Sequence, residues 1–173
     1  MIGTRRRGEA PAGFEEFAHA RGRHLFRTAL LLCGDWHLAE DLTQTALAKI
    51  YASWTRVQRA DNQDAYARSI LVRSYLSHRR LRRSSEKPAF GELPDGIAPT
   101  GDPALRVTLL AALGELPPRD RAVLVLRYWE DRSVEETAAE LDLSPGAVRS
   151  QSLRALGRLR KLLGPAVADV LAV

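Results

Sequence analysis

Apolar side chains recur at helical spacing through most of this chain, and nowhere with the two-residue alternation of a strand. Phe14, Phe17 and Ala18, then Leu25, Ala29 and Leu32, keep that spacing up to Gly34. After "GDWH", Leu38, Leu42, Ala46, Ile50 and Trp54 recur every four residues and predict a second helix with one apolar stripe. A third is predicted from about Asp64 to Arg83, with Tyr66, Ile70 and Leu76 facing inward.

The pattern then stops. Ser84 to Pro103, "SSEKPAFGELPDGIAPTGDP", holds four prolines and three glycines and reads as a flexible linker. Helical spacing resumes over Ala104–Leu113, breaks at Leu116–Pro118 and continues through "RDRAVLVLRYWED", where proline suits the first turn of a helix. "AVLVL", Ala122–Leu126, has the composition of a strand, but its proline-initiated context predicts a buried helix. The expectation is an all-α chain of two small helical domains, 14–83 and 103–163. A linker over 84–102 joins them, with a mobile tail at 1–13 and a short tail at 164–173.

The last two helices are the most informative stretch. Ser133 and Glu136 are spaced as a capping box, each side chain pairing with the other residue's backbone N–H. Val134, Ala138 and Leu141 predict that helix's inner face, and "DLS" ends it. Asp142 stands where a helix-turn-helix needs a left-handed backbone, which aspartate tolerates better than most residues. Ser144 then caps a helix whose first residue is Pro145. On it Val148, Ser152, Ala155, Leu156, Leu159 and Leu163 face inward, while Arg149, Ser150, Leu153 and Arg154 share the other side. Basic and small polar side chains near the start of a second helix are what entry into a DNA major groove requires.

Charge reinforces that reading. The net charge is +5, unevenly spread: residues 1–83 carry 15 Lys/Arg against 8 Asp/Glu, 84–102 carry 1 against 4, and 103–173 carry 10 against 9. Ser144–Leu163 holds five basic residues and no acid. Two basic surfaces joined by an acidic connector predict contact with a polyanion at two places. The single cysteine, Cys33, excludes an intrachain disulfide, and no apolar run approaches a membrane span. The expected location is the cytoplasm. Cys33 and His37 lack further ligands for a zinc site, and no catalytic triad, Walker loop or dinucleotide turn is present. No enzyme, metal or cofactor is predicted.

"LPPRDRAVLVLRYWEDRSVEETAAELDLSPGAVRSQSLRALGRLRKLL" closely resembles region four of the extracytoplasmic-function (ECF) sigma factors of bacteria, and "AEDLTQTALAKIYASW", Ala39 to Trp54, resembles part of their region two. The resemblance covers about Phe14 to Leu163 and looks closest to a small actinobacterial-type subgroup. It implies a promoter-specificity subunit of RNA polymerase. Region two would dock on the clamp coiled coil of the largest subunit through the outward face Asp41, Gln44 and Ala48. The flap of the second-largest subunit would be a further contact.

The resemblance also implies that region two opens the minus-ten element. On the third helix Arg68, Arg73, His78, Arg79 and Arg80 suit phosphates, and Ser74 and Ser77 are short enough to approach bases. Many relatives carry asparagine where Arg73 stands. The preceding loop, Thr55–Asp64, would capture an unstacked base, with Asn62 and Gln63 as candidates. Region four would read the minus-thirty-five duplex through Arg149, Ser150, Gln151, Arg154 and Arg158. Promoter DNA is therefore expected as both duplex and single strand, and an anti-sigma protein is a further partner the family often has. Two alternatives remain: a stand-alone dimeric helix-turn-helix regulator, and an enzyme with a DNA-binding tail.

Overall fold

A computed structural model of the chain describes residues 10–81 and 103–164, with side chains from residue 107 onward in the second stretch. The expected linker over 84–102 and most of both expected tails lie outside the described residues. All regular structure among the described residues is helical: α1 (Phe14–Cys33), α2 (Trp36–Ala52), α3 (Trp54–Gln58), α4 (Gln63–Leu81), α5 (Pro103–Gly114), α6 (Pro118–Leu124), α7 (Val134–Leu141) and α8 (Pro145–Leu163). A π-helical turn, Val125–Trp129, extends α6.

The first half packs α1, α2 and α4 together, with α3 as a corner. α1 ends because Gly34 adopts a left-handed backbone (φ 71°), its N–H bonded to the Leu30 carbonyl. Asp35 then caps α2, accepting from the Leu38 N–H at 2.7 Å. That cap starts α2 at Trp36, two residues before the apolar stripe. The stripe is buried as predicted at Leu42, Ala46, Ile50 and Trp54, with Leu38 half-buried. The helix itself breaks at Ser53, so Trp54 opens α3, and Phe14 and Phe17 pack on its ring. Trp54 Nε1 donates to the Ala12 carbonyl at 2.8 Å, which ties the end of the expected N-terminal tail to α3.

α4 departs from the simple one-faced helix. Tyr66, Ile70 and Leu76 are only half-buried, and the buried residues are Ala67, Arg68, Leu71, Val72, Ser74 and Tyr75. The reason is that α4 packs on α1 and α2 on one side and on α6 and α7 on the other. The two halves therefore share one apolar core, which runs from Phe17 to Val148. A second cluster, built on Ala112, Leu116, Leu124, Ala155, Leu159 and Leu163, seats α8 on α5 and α6.

In the second half, "AVLVL" is wholly buried and helical as predicted. The π-turn within it is new. Its wider winding is closed by the Glu130 N–H bonding the Val125 carbonyl, five residues back, at 3.0 Å.

Candidate nucleic-acid interface

The turn between α7 and α8 is assembled from local chemistry. Ser133 Oγ accepts from the Glu136 N–H at 3.0 Å, and Glu136 Oε2 accepts from the Ser133 N–H at 2.7 Å. Those bonds hold the Glu136 carboxyl below the usual glutamate range, the Ser133 backbone N–H being the main cause. Asp142 is left-handed (φ 57°, ψ 51°), as the turn requires. Ser144 Oγ accepts from the Ala147 N–H at 3.1 Å, with Pro145 opening α8. Ala138 and Leu141 are buried and Val134 is half-buried against the core. Thr137 and Glu140 are buried too, on the side that α4 packs against.

α8 presents a divided surface. Val148, Ser152, Ala155, Leu159 and Leu163 are buried, and Leu156 is half-buried. Arg149, Ser150, Leu153 and Arg154 are exposed together, Leu153 at 72%. Arg149 pairs with Glu135 of α7 at 3.0 Å, but both side chains are largely in water and such pairs are weak. Arg154 has no partner among the described residues. The structure does not bring Gln151 and Arg158 to this face. Gln151 is half-buried and donates to Asp120 Oδ1 at 3.1 Å, and Arg158 pairs with Asp120 Oδ2. Asp120 lies in the first turn of α6 and is itself buried, which the α8 sequence gives no hint of.

On α4 the predicted DNA residues divide in the same way. Arg73 and Arg80 are exposed, while Ser77, His78 and Arg79 are half-buried. Ser74 is buried and accepts from Lys49 Nζ of α2 at 2.8 Å. Arg68 is buried against the second half: its Nη2 and Nε donate to Glu140 Oε1 and Oε2 at 2.7 and 3.2 Å. These two side chains are therefore covered within the chain rather than presented to phosphates or bases as the sequence reading expected. Burial pushes the Glu140 carboxyl up, and the Arg68 guanidinium opposes that shift.

The expected base-capturing loop is half helix, since Thr55–Gln58 belongs to α3 and Val57 is buried. Beyond it, Asn62 caps α4, its Oδ1 accepting from the Ala65 N–H at 2.9 Å. Asn62, Gln63 and Asp61 line an open cleft of about 600 Å³ with Trp54, Gln58 and Phe17. On α2, Asp41, Gln44 and Ala48 are all exposed and share one face. Cys33 is buried, donates to the Asp35 carbonyl, and burial pushes its thiol up to about 11. Among the described residues no three His, Cys, Asp or Glu side chains converge as a metal site, and no helix is long and apolar enough to cross a membrane.

Two helical units, the second ending in a capped helix-turn-helix, have the form that DNA-binding proteins use to enter a major groove. Comparison makes the class specific. Residues 17–85 match Sigma-70 region 2 and residues 106–159 match Sigma-70 region 4. The chain is 40% identical over 152 residues to the RNA polymerase sigma-E factor of Streptomyces coelicolor, covering 87% of this chain and 85% of that one. It is 30% identical to the ECF RNA polymerase sigma factor SigM of Mycobacterium tuberculosis, covering 87% and 77%. The fold superposes on the sigma factor RpoE of Bartonella quintana, solved with the anti-sigma factor NepR, with a TM-score of 0.73 and 25% identity over 87% of this chain and 96% of that one. The fold is also that of CnrH, solved with the cytosolic domain of CnrY (TM-score 0.60, 22% identity, 87% and 86% covered). The chain belongs to the ECF sigma factors of the sigma-70 family.

Proposed function

We propose that this chain binds core RNA polymerase and directs it to promoters by reading a minus-thirty-five duplex with α8 and a minus-ten element with α4 and the loop before it. The observation that carries the reading is the exposed quartet Arg149, Ser150, Leu153 and Arg154 on the N-terminal half of a capped second helix. A guanidinium forks onto a guanine edge, a hydroxyl accepts or donates, and an apolar tip meets a thymine methyl, so this set suits base edges more than phosphates. Asn62, Gln63 and the cleft beside them supply polar partners for an extruded base, and Arg73, Arg79 and Arg80 supply charge for phosphates.

Asp41, Gln44 and Ala48 form the docking face for the largest subunit's clamp coiled coil, and the flap of the second-largest subunit is a second contact. The Streptomyces relatives favour placement in an actinobacterial-type subgroup. The structure of RpoE with the anti-sigma factor NepR favours an anti-sigma protein as a further partner. On this reading the protein works in the cytoplasm with the polymerase. The test is run-off transcription with core polymerase on genomic fragments, beside a pull-down of core. Defined start sites and stoichiometric association support the reading. A free homodimer on palindromic DNA, without polymerase, would replace it with the stand-alone regulator.

A further inference from the structure

The cleft beside Asn62 has an apolar floor and a lining rich in hydrogen-bond acceptors. Trp54 and Phe17 form the floor, both buried, with ring centroids 5.3 Å apart. Two amides on its wall are oriented by backbone partners. The Ala12 carbonyl can only accept, so Gln58 turns Nε2 toward it at 3.1 Å and keeps Oε1 as an unbonded acceptor among the described residues. The Ala65 N–H can only donate, so Asn62 turns Oδ1 toward it and keeps its amide N–H groups. Three carboxylates, Glu16, Asp61 and Asp64, line the same cleft against one cation, Arg21. Arg21 is held by Asp64 at 2.9 Å, whereas Glu16 and Asp61 are exposed and make no hydrogen bond or ion pair among the described residues.

A cleft of about 600 Å³ admits a purine or a pyrimidine, so its polar lining and not its size selects among bases. A base that enters displaces water from Glu16 and Asp61, and a carboxylate that loses water needs donors. Adenine, cytosine and guanine each carry an exocyclic amine, which donates. Thymine has none: its exocyclic groups are carbonyl oxygens and a methyl, and those oxygens would face carboxylates. We infer that the cleft takes an amino-bearing base, adenine, cytosine or guanine, from the non-template strand and rejects thymine, with Glu16 and Asp61 as the acceptors that make the choice. Gln58 Oε1 adds a further acceptor, and the Asn62 amide supplies a donor for the acceptor atom that each of these bases also carries. The proposal rests on the base-capture reading of this cleft and names what that cleft captures.

The test uses the full chain with core polymerase, on fragments of a promoter found by run-off transcription. The minus-ten region is premelted as a bubble, so that duplex stability does not enter. An abasic site moved along the non-template strand locates the captured base, as the position where affinity falls most. There adenine, cytosine or guanine should bind about tenfold tighter than thymine, the scale of one hydrogen bond to a charged group. Purine in place of adenine lacks only the amine and should lose most of that advantage. Glu16→Gln/Asp61→Asn should bring thymine and the amino bases close together, because an amide can also donate to a carbonyl oxygen. Thymine bound as well as the amino bases, purine bound as well as adenine, or an unchanged preference in the double variant overturns the proposal and leaves capture standing. If no abasic position matters, the base-capture reading fails and the proposal fails with it. The purine comparison needs no variant, so if circular dichroism shows the double variant misfolded, the wild type alone decides.

Discussion

Arg158 of α8 sits on the Asp120 carboxylate of α6, whose other oxygen accepts from Gln151. One buried acid thus holds two side chains of α8, and with the buried apolar face it fixes the rotation of the helix. Arg154→Ala should change base preference at one position of the minus-thirty-five element, by about 1–3 kcal/mol if the contact is a bidentate fork to guanine. Arg158→Ala should leave the salt slope unchanged and lower the melting temperature, since it leaves the buried Asp120 carboxylate without its cation. Single-base promoter variants titrated at two salt concentrations, beside thermal melts, separate the two. Loss of salt slope in Arg158→Ala would place Arg158 on a phosphate instead.

Leu153 is an apolar side chain held in water between Ser150 and Arg154, and thymine offers the major groove a methyl group. Replacing thymines of the minus-thirty-five element by uracil, one at a time, should weaken wild-type binding about fourfold at one position, the value of one buried methyl at about 0.8 kcal/mol. Leu153→Ala should not distinguish thymine from uracil there. Equal sensitivity of both proteins removes Leu153 from the readout.

Asn62 holds the first turn of α4, so its replacement by alanine mixes two effects, the loss of a helix cap costing about 1 kcal/mol and the loss of any base contact. Gln63→Ala and Asn62→Asp avoid that confusion, because aspartate keeps the cap. Both should impair strand opening, read as thymine reactivity to permanganate, with duplex binding by the second half intact. Full reactivity in both variants would exclude the two side chains from base capture.

Asp41 and Gln44 are exposed and make no bond within the chain among the described residues. Asp41→Arg with Gln44→Ala should therefore lower affinity for core polymerase at least tenfold while the circular dichroism spectrum and melting temperature stay near wild type. Undiminished association would move the docking surface elsewhere.

The capping box makes α7 sensitive to acid. Glu136 has a folded-state pKa below its unfolded value, so its contribution is present above the ordinary glutamate range of about 4.3 and is lost as pH falls through the depressed value. Glu136→Gln should melt below the wild type at pH 7, and the gap should narrow between pH 5 and pH 3. Ser133→Ala should cost about 1 kcal/mol near neutrality. A gap that stays constant with pH would mean that the carboxylate charge contributes nothing to the box.

The helix-turn-helix was legible residue by residue because its determinants act within four positions. Ser133 finds Glu136, Ser144 finds the Ala147 N–H, and Asp142 takes a backbone conformation that depends on its own side chain. The apolar stripe of α2 was legible for the same reason, since helical period alone puts Leu42, Ala46 and Ile50 on one side. The partners of charged side chains were not. An arginine on a helix looks solvated unless another element covers it, and coverage is decided by packing between distant segments. Arg68 and Glu140 are 72 residues apart and Arg158 and Asp120 are 38 apart, with nothing local to either that marks the pairing. The sequence by itself determined the order of the main helices, the caps at Ser133 and Ser144 and the exposed face of α8, because these follow from local hydrogen bonding and period. Only the tertiary structure decided that Arg68 and Ser74 are buried and that Gln151 and Arg158 serve α6, because desolvation of a charge depends on what packs over it.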